Sequence, residues 1–188
     1  MIGHREDGSV NFYRNWAAFK AGFGDASGEY WLGNEYLHYL TNSRAYKLRF
    51  DLEDWDGNTA YAEYSTLRVT SEADNYRLLL GDYSGNASND QSHDMSQGFL
   101  LQNNSQFSTW DRTNDRSAAM MFDDSCIATF GYGGFWYTSC MRVSLTNSYR
   151  SPSGDYSHLN NLDAIRWDAW RSYTDPLKTM TMMIRPVT

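Results

Sequence analysis

Residues Tyr46-Lys47-Leu48-Arg49-Phe50-Asp51-Leu52-Glu53 alternate apolar and charged without a break, and this constrains the fold more than any other feature of the chain. A period of two puts Tyr46, Leu48, Phe50 and Leu52 on one face of a strand and the charges on the other. Asp54-Trp55-Asp56-Gly57-Asn58 then reads as a turn, because Asp-Gly supplies the positive φ that hairpins favour. The return strand is expected over 59–69, and a third strand, Tyr76 to Leu80, ends at Gly81. Connections this short imply neighbouring antiparallel strands.

Upstream, Val10, Phe12, Tyr13, Trp16, Phe19 and Phe23 recur at helical spacing, with Ser9 as a cap and Gly22 or Gly24 as a stop. That aromatic stripe predicts the core face of a helix. Residues 28–34 read as a tight aromatic connection, followed by a short helix from Glu35 to Leu40. Residues 82–125 and 141–175 are rich in Asn, Asp, Ser and Gly with few periodic apolar positions, which predicts a long, loop-built region. From Leu177 to Ile184 the alternation returns, with Met180, Met182 and Ile184 on one face of a last strand.

At 188 residues the chain has the length of a single domain. A net charge of -7 disfavours nucleic acid and anionic membranes as partners, since both demand a basic face. No apolar run approaches a bilayer span, so membrane insertion is not expected. Aromatic residues make up 16%, more than a core needs, which suits surface recognition. The histidines His4, His38, His93 and His158 are scattered singly, and neither a G-x-S-x-G elbow nor an H-E-x-x-H motif occurs, so nothing points to an enzyme. Asp51, Glu53, Asp54 and Asp56 read as strand-face and turn residues.

The candidate functional stretch is Phe107 to Met141. It holds an Asp/Asn/Thr-rich loop at 111–115, an aromatic run at 135–137, and the two cysteines, Cys126 and Cys140. The cysteine spacing fits neither a redox pair nor a zinc site, and an extracellular disulfide is the better reading. Asn86-Ala87-Ser88 and Asn103-Asn104-Ser105 are N-glycosylation signals. The first seven residues lack the apolar core of a signal peptide, so either an intracellular chain or a missing N-terminus is expected.

Several long motifs, in order along the whole chain, carry a resemblance: REDGSVNFYRNW at 5–16, GEYWLGNEYLHYLT at 28–41, YKLRFDLEDWDGNTAYAEY at 46–64, YRLLLGDYSGNA at 76–87, FSTWD at 107–111, FWYTSC at 135–140, W-x-x-W at 167–170 and LKTMTMMIRP at 177–186. The sequence resembles the fibrinogen C-terminal-like domain of fibrinogens, ficolins, tachylectins, angiopoietins and tenascins. The resemblance implies an α+β fold with a twisted, mostly antiparallel central sheet, short helices and a loop-rich calcium and ligand subdomain. It divides the domain into a sheet part, 1–81 with 176–188, and a ligand part, 82–175, with the last strand inserted into the sheet. Members normally begin with a further segment bearing another cysteine pair, so the chain is expected to be N-terminally truncated.

The resemblance also assigns roles. It implies a Cys126–Cys140 disulfide and an extracellular, secreted location. It implies a calcium loop at Asp111, Thr113 and Asp115. Thr113 stands where the family usually has the first of two aspartate ligands, so the site is expected to be degraded, with Asp123 and Asp124 of an insertion nearby. Acetyl-recognising members keep a histidine after the second cysteine, where this chain has Met141. Asn161 and Leu162 stand where they keep a Tyr-Ala pair. Tyr132, Trp136, Met141, Asn161 and Leu162 are therefore the expected ligand-binding positions. Fibrinogen's peptide pocket uses acidic residues where Phe130 and Leu162 stand, and Asp163 is one position after Leu162, so it would serve only with a shift of the loop. The leading expectation is a non-enzymatic, lectin-like module for a glycan or pathogen surface. The alternative is a matrix or receptor-binding protein-interaction module without sugar binding. Assembly is expected to run through the missing N-terminal region.

Overall fold

The structure, a computed structural model, describes residues 1–88, 98–115, 126–127, 133–138, 140–152, 163–171 and 175–187. The alternating segment forms β4, Tyr46–Asp54, with every second side chain buried. The Asp54–Asn58 turn leads to β5, Thr59–Tyr64, paired antiparallel with β4. The last strand is longer than its alternation indicates, Leu177–Pro186, and lies between β4 and the N-terminal strand β1, Gly3–Arg5. We label it β13. It is antiparallel to both neighbours, with Met182 opposite Phe50 on one side and Gly3 on the other. Two short strands, β2 (Phe23–Gly24) and β3 (Tyr30–Trp31), extend the sheet past β1, and β8 (Tyr83–Gly85) closes the other edge against β5. Met180, Met182, Leu48, Phe50, Ala62 and Tyr64 are fully buried on the core face, so the strand reached last in the chain anchors the middle of the sheet.

Three expectations need correction. The return strand does not run on to residue 69. It stops at Tyr64, and Leu67–Val69 (β6) leaves the main sheet to pair with Leu78–Leu80 (β7). Ser65 and Thr66 make the break: Ser65 N–H donates to Asp82 O at 2.9 Å and Gly81 N–H to Thr66 O at 3.0 Å.

The helix expected from Val10 is short. α1 spans Trp16–Ala21, capped by Asn15, whose side chain accepts from Ala18 N–H. Local side-chain bonds compete with helix upstream: Asn11 Oδ1 accepts from Tyr13 N–H and Asp7 Oδ1 from Ser9 N–H. The aromatic stripe still supplies core side chains, Phe12, Trp16 and Phe19, but from mixed backbone. The second helix, α2, extends beyond the expected Leu40, from Asn34 to Ser43. Among the described residues, no helix is long and apolar enough to cross a membrane.

A buried ion pair ties the N-terminal segment to the loop-rich region. Glu29 Oε1 accepts from Arg5 Nε at 3.1 Å and from the backbone N–H groups of Glu6, Asp7 and Gly8, while Oε2 accepts from Val10 N–H. Arg5 also donates to Leu145 O and Asn147 O and stacks 4.1 Å from the Phe12 ring. Burial alone would raise the Glu29 pKa, but Arg5 and the backbone donors outweigh it and hold the carboxyl below its ordinary value. Burial lowers that of Arg5.

Candidate functional site

The two ends of the candidate stretch are zipped together. Phe107–Ser108 (β9) pairs antiparallel with Phe135–Trp136 (β10). Cys126 and Cys140 form a disulfide with Cα atoms 5.1 Å apart. Gly133 precedes β10 for a steric reason: a Cβ there would stand 2.0 Å from Thr146 O, so no larger residue fits that approach. Gln102 bridges the region, donating to Trp136 O and accepting from Val143 N–H at 2.9 Å.

This pairing overturns the placement of the aromatic wall. Phe135, Trp136 and Tyr137 are core residues, at most 1% exposed. The Trp136 indole donates to Tyr76 O at 2.7 Å, and the Tyr137 hydroxyl donates to Gly133 O. Trp136 is therefore not a surface ligand contact. Met141 is buried as well, at 5% exposure, with its sulfur facing the Asn147 amide at 3.7 Å. Its carbonyl accepts from Arg166, which pairs with Asp168 at 2.7 Å, and Asp168 N–H donates to Arg142 O. Burial raises the Asp168 pKa more than Arg166 lowers it. Val143–Ser144 (β11) and Arg166–Trp167 (β12) form the ladder beneath this clamp. Tyr132, Asn161 and Leu162, like Phe130, Asp123, Asp124, His93 and His158, lie outside the described residues. Asp163, the acid beside the expected pocket, accepts from Ser148 Oγ and Arg150.

The 111–115 loop has a structural job. Asp111 Oδ1 accepts from Trp16 N–H at 2.9 Å, in the first turn of α1, and from Thr109 Oγ1. Arg112 lies 4.0 Å over the Trp16 ring, donates to Asn75 Oδ1 and faces Glu72 at 3.7 Å. Thr113 is exposed, and Asp115 Oδ2 accepts from Ile127 N–H at 3.3 Å, beside the disulfide. Asp111 and Asp115 thus serve different partners. Calcium takes six to eight hard oxygens. Among the described residues no group of three His, Cys, Asp or Glu side chains is placed to hold a metal; Asp123 and Asp124 lie outside them.

The same loop exposes what the aromatic run does not. Trp110 is 50% exposed and stacks on Tyr13, itself 47% exposed, with ring centroids 6.0 Å apart. The helical spacing predicts Tyr13 on a buried stripe. The signal that could have found it is Asn11, whose local bond to Tyr13 N–H turns the chain before the helix begins. A cleft of about 520 Å³ also opens between residues 7–12 and 147–150, with Arg5, Phe12, Tyr149 and Arg150 on its walls. Nothing in the sequence marks it, because its walls lie more than a hundred positions apart.

A model of the C-terminal globular domain of fibrinogen beta and gamma chains matches residues 1–187. The chain belongs to this family. The fibrinogen-like globe domain of human ANGPTL2 superposes with a TM-score of 0.85 at 39% identity, covering 98% of this chain and 78% of that one. The lamprey fibrin D-dimer, solved with the peptide Gly-His-Arg-Pro-amide, superposes at 0.82 with 35% identity, over 98% and 60%. Angiopoietin-related protein 7 of Mus musculus is 40% identical over 186 residues, 99% of this chain and 50% of that protein. Human angiopoietin-1 is 37% identical over 190 residues, 100% of this chain and 34% of its own length. The chain therefore spans half or less of the length of these curated relatives. The fibrinogen-like fold and its mostly antiparallel sheet agree with the expectation from sequence, and the domain is a non-enzymatic binding module. The angiopoietin-type relatives favour the protein-interaction reading over the lectin-like one.

Proposed function

We propose that this fibrinogen-like domain is the recognition module of a secreted, angiopoietin-like protein and binds a protein partner rather than a sugar. One observation carries the reading. The position where acetyl-recognising members keep a histidine holds Met141, which is buried with its sulfur on Asn147, and the neighbouring Trp136 is core. Beside the same loop the stacked pair Tyr13 and Trp110 is exposed, with Arg112 paired to Glu72 next to it, the mixture of aromatic and charged side chains found at protein interfaces. The angiopoietin-type relatives, and the peptide held in the lamprey fibrin structure, support a protein ligand.

The test pairs a glycan array with capture of cell-surface proteins by the folded domain. A protein partner is expected whose binding survives enzymatic removal of its glycans. Trp110→Ala is expected to weaken that binding by about tenfold or more, as loss of an interface anchor does. Saturable array binding, competed by free sugar and unchanged in Trp110→Ala, would overturn the reading.

A further inference from the structure

We propose that Asn86 carries an N-linked glycan and that Asn103, which has the same sequence signal, does not. The inference rests on the reading of the domain as secreted. Asn86 follows the edge strand β8 and is exposed. Its Oδ1 accepts from Tyr61 N–H at 2.8 Å, which fixes which end of the amide is oxygen, because only the oxygen can accept. Its backbone N–H and that of Ala87 both donate to Tyr61 O at 3.0 Å, so the backbone is held as well. Nδ2 makes no hydrogen bond among the described residues. Asn86 borders an open hollow of about 380 Å³ on the polar face of the sheet, lined by Arg49, Asp51, Tyr61, Thr179 and Thr181. A first sugar has room there, and a glycan would shield an edge strand whose free backbone invites unwanted pairing.

Asn103 is built differently. Its Oδ1 accepts from Leu80 N–H at 2.9 Å while its Nδ2 donates to Leu80 O at 3.4 Å, closing a two-bond ring on β7. A ring to one residue uses the amide hydrogen on the same side as the carbonyl oxygen. A glycosylated amide in its ordinary trans geometry puts the sugar carbon in that position. Modification at Asn103 therefore replaces the hydrogen that Leu80 needs. The rest of the signal is also wound into the fold: Asn104 has φ 66° and Ser105 is 4% exposed, accepting from Leu78 N–H.

The chemistry is a transfer from a lipid-diphosphate-linked oligosaccharide. The Nδ2–C1 bond forms, the C1–O bond to the diphosphate breaks, the lipid diphosphate leaves with the electron pair, and Nδ2 gives up one of its two protons. The folded structure decides which product is tolerated.

The experiment expresses the chain behind a secretory leader in mammalian cells and measures intact mass in lysate and medium, before and after peptide-N-glycosidase. The leader forces passage through the secretory lumen, so the result reports on the two sites and not on where the natural protein goes. One glycan is expected, lost in Asn86→Gln and Ser88→Ala and kept in Asn103→Gln and Ser105→Ala. Ser105→Ala removes the second signal while leaving the Asn103–Leu80 ring intact, so a folding defect in Asn103→Gln does not blur the answer. No glycan, two glycans, or one removed by Ser105→Ala would each overturn the proposal.

Discussion

Glu29→Gln tests the strongest electrostatic claim of the fold. The Glu29 side chain is 0% exposed and that of Arg5 2%, so the pair cannot be rescued by water. Glutamine keeps an oxygen for the donors now on Oε1, but it leaves Arg5 without an anion. Removing one partner of a buried pair costs about 3–5 kcal/mol. Its NH₂ would also face Val10 N–H, an unmet donor within the roughly 1–3 kcal/mol range for such groups. The two losses share one site and do not add, so about 3–5 kcal/mol is expected. For a domain of about this size each kcal/mol moves Tm by about 2–4 °C, giving a fall of roughly 6–20 °C by circular dichroism.

The pH dependence has a defined sign. The folded pKa of Glu29 is lowered, so its contribution is present above the ordinary glutamate value and lost as pH falls through the folded one. Asp168, raised by burial, contributes with the opposite sign, its stabilisation lost as pH rises through its folded pKa. Glu29→Gln should therefore flatten the acid limb of the stability profile. A Tm loss below about 3 °C, with an unchanged acid limb, would refute the reasoning.

Asp111→Ala should lower stability by about 0.5–2 kcal/mol, the worth of a helix cap, as read by urea unfolding. In a calcium titration Asp111→Ala should leave any response unchanged, whereas Thr113→Asp, which adds a carboxylate two positions from Asp115, should strengthen it. Replacing both Cys126 and Cys140 by alanine should cost about 3 kcal/mol for a loop of this length, measured against the same protein with the bond intact.

What the sequence makes legible follows the reach of each signal. The Tyr46–Glu53 alternation marks a strand and its buried face because that information is local. So is the Leu177–Ile184 alternation, though the insertion of β13 between β1 and β4 is not local and came from the family resemblance. β1 has no signal of its own: three residues become a strand because β13 and β3 flank them. The helix expected from Val10 does not form over its full length because the side chains of Asp7, Asn11 and Asn15 bond the local backbone first, and aromatic spacing carries no trace of those bonds. At the site, the disulfide was legible from the family pattern, while the roles of Asp111 and Trp136 were not. Both depend on partners far away in sequence, Trp16 and Tyr76.

The aromatic surplus has a sharper meaning once inside and outside are separated. A chain with seven Trp and fourteen Tyr looks equally ready to bind at Phe135-Trp136-Tyr137 and at Trp110. Strand pairing decides between them: β10 is covered by β9, and Gly133 lets it close against Thr146, so its rings are removed from water. Trp110 sits at the tip of a turn closed by reciprocal Thr109–Arg112 backbone bonds, and the residues after it, Asp111 and Arg112, are bound to α1 and its Trp16 ring. A half-exposed indole on a loop held from two sides loses little conformational freedom when a partner covers it, the condition under which an aromatic anchor contributes most to affinity. On the proposed reading, the loop that the family pattern offers as a cation site mounts this aromatic anchor, with Asp111 and Arg112 holding it to α1.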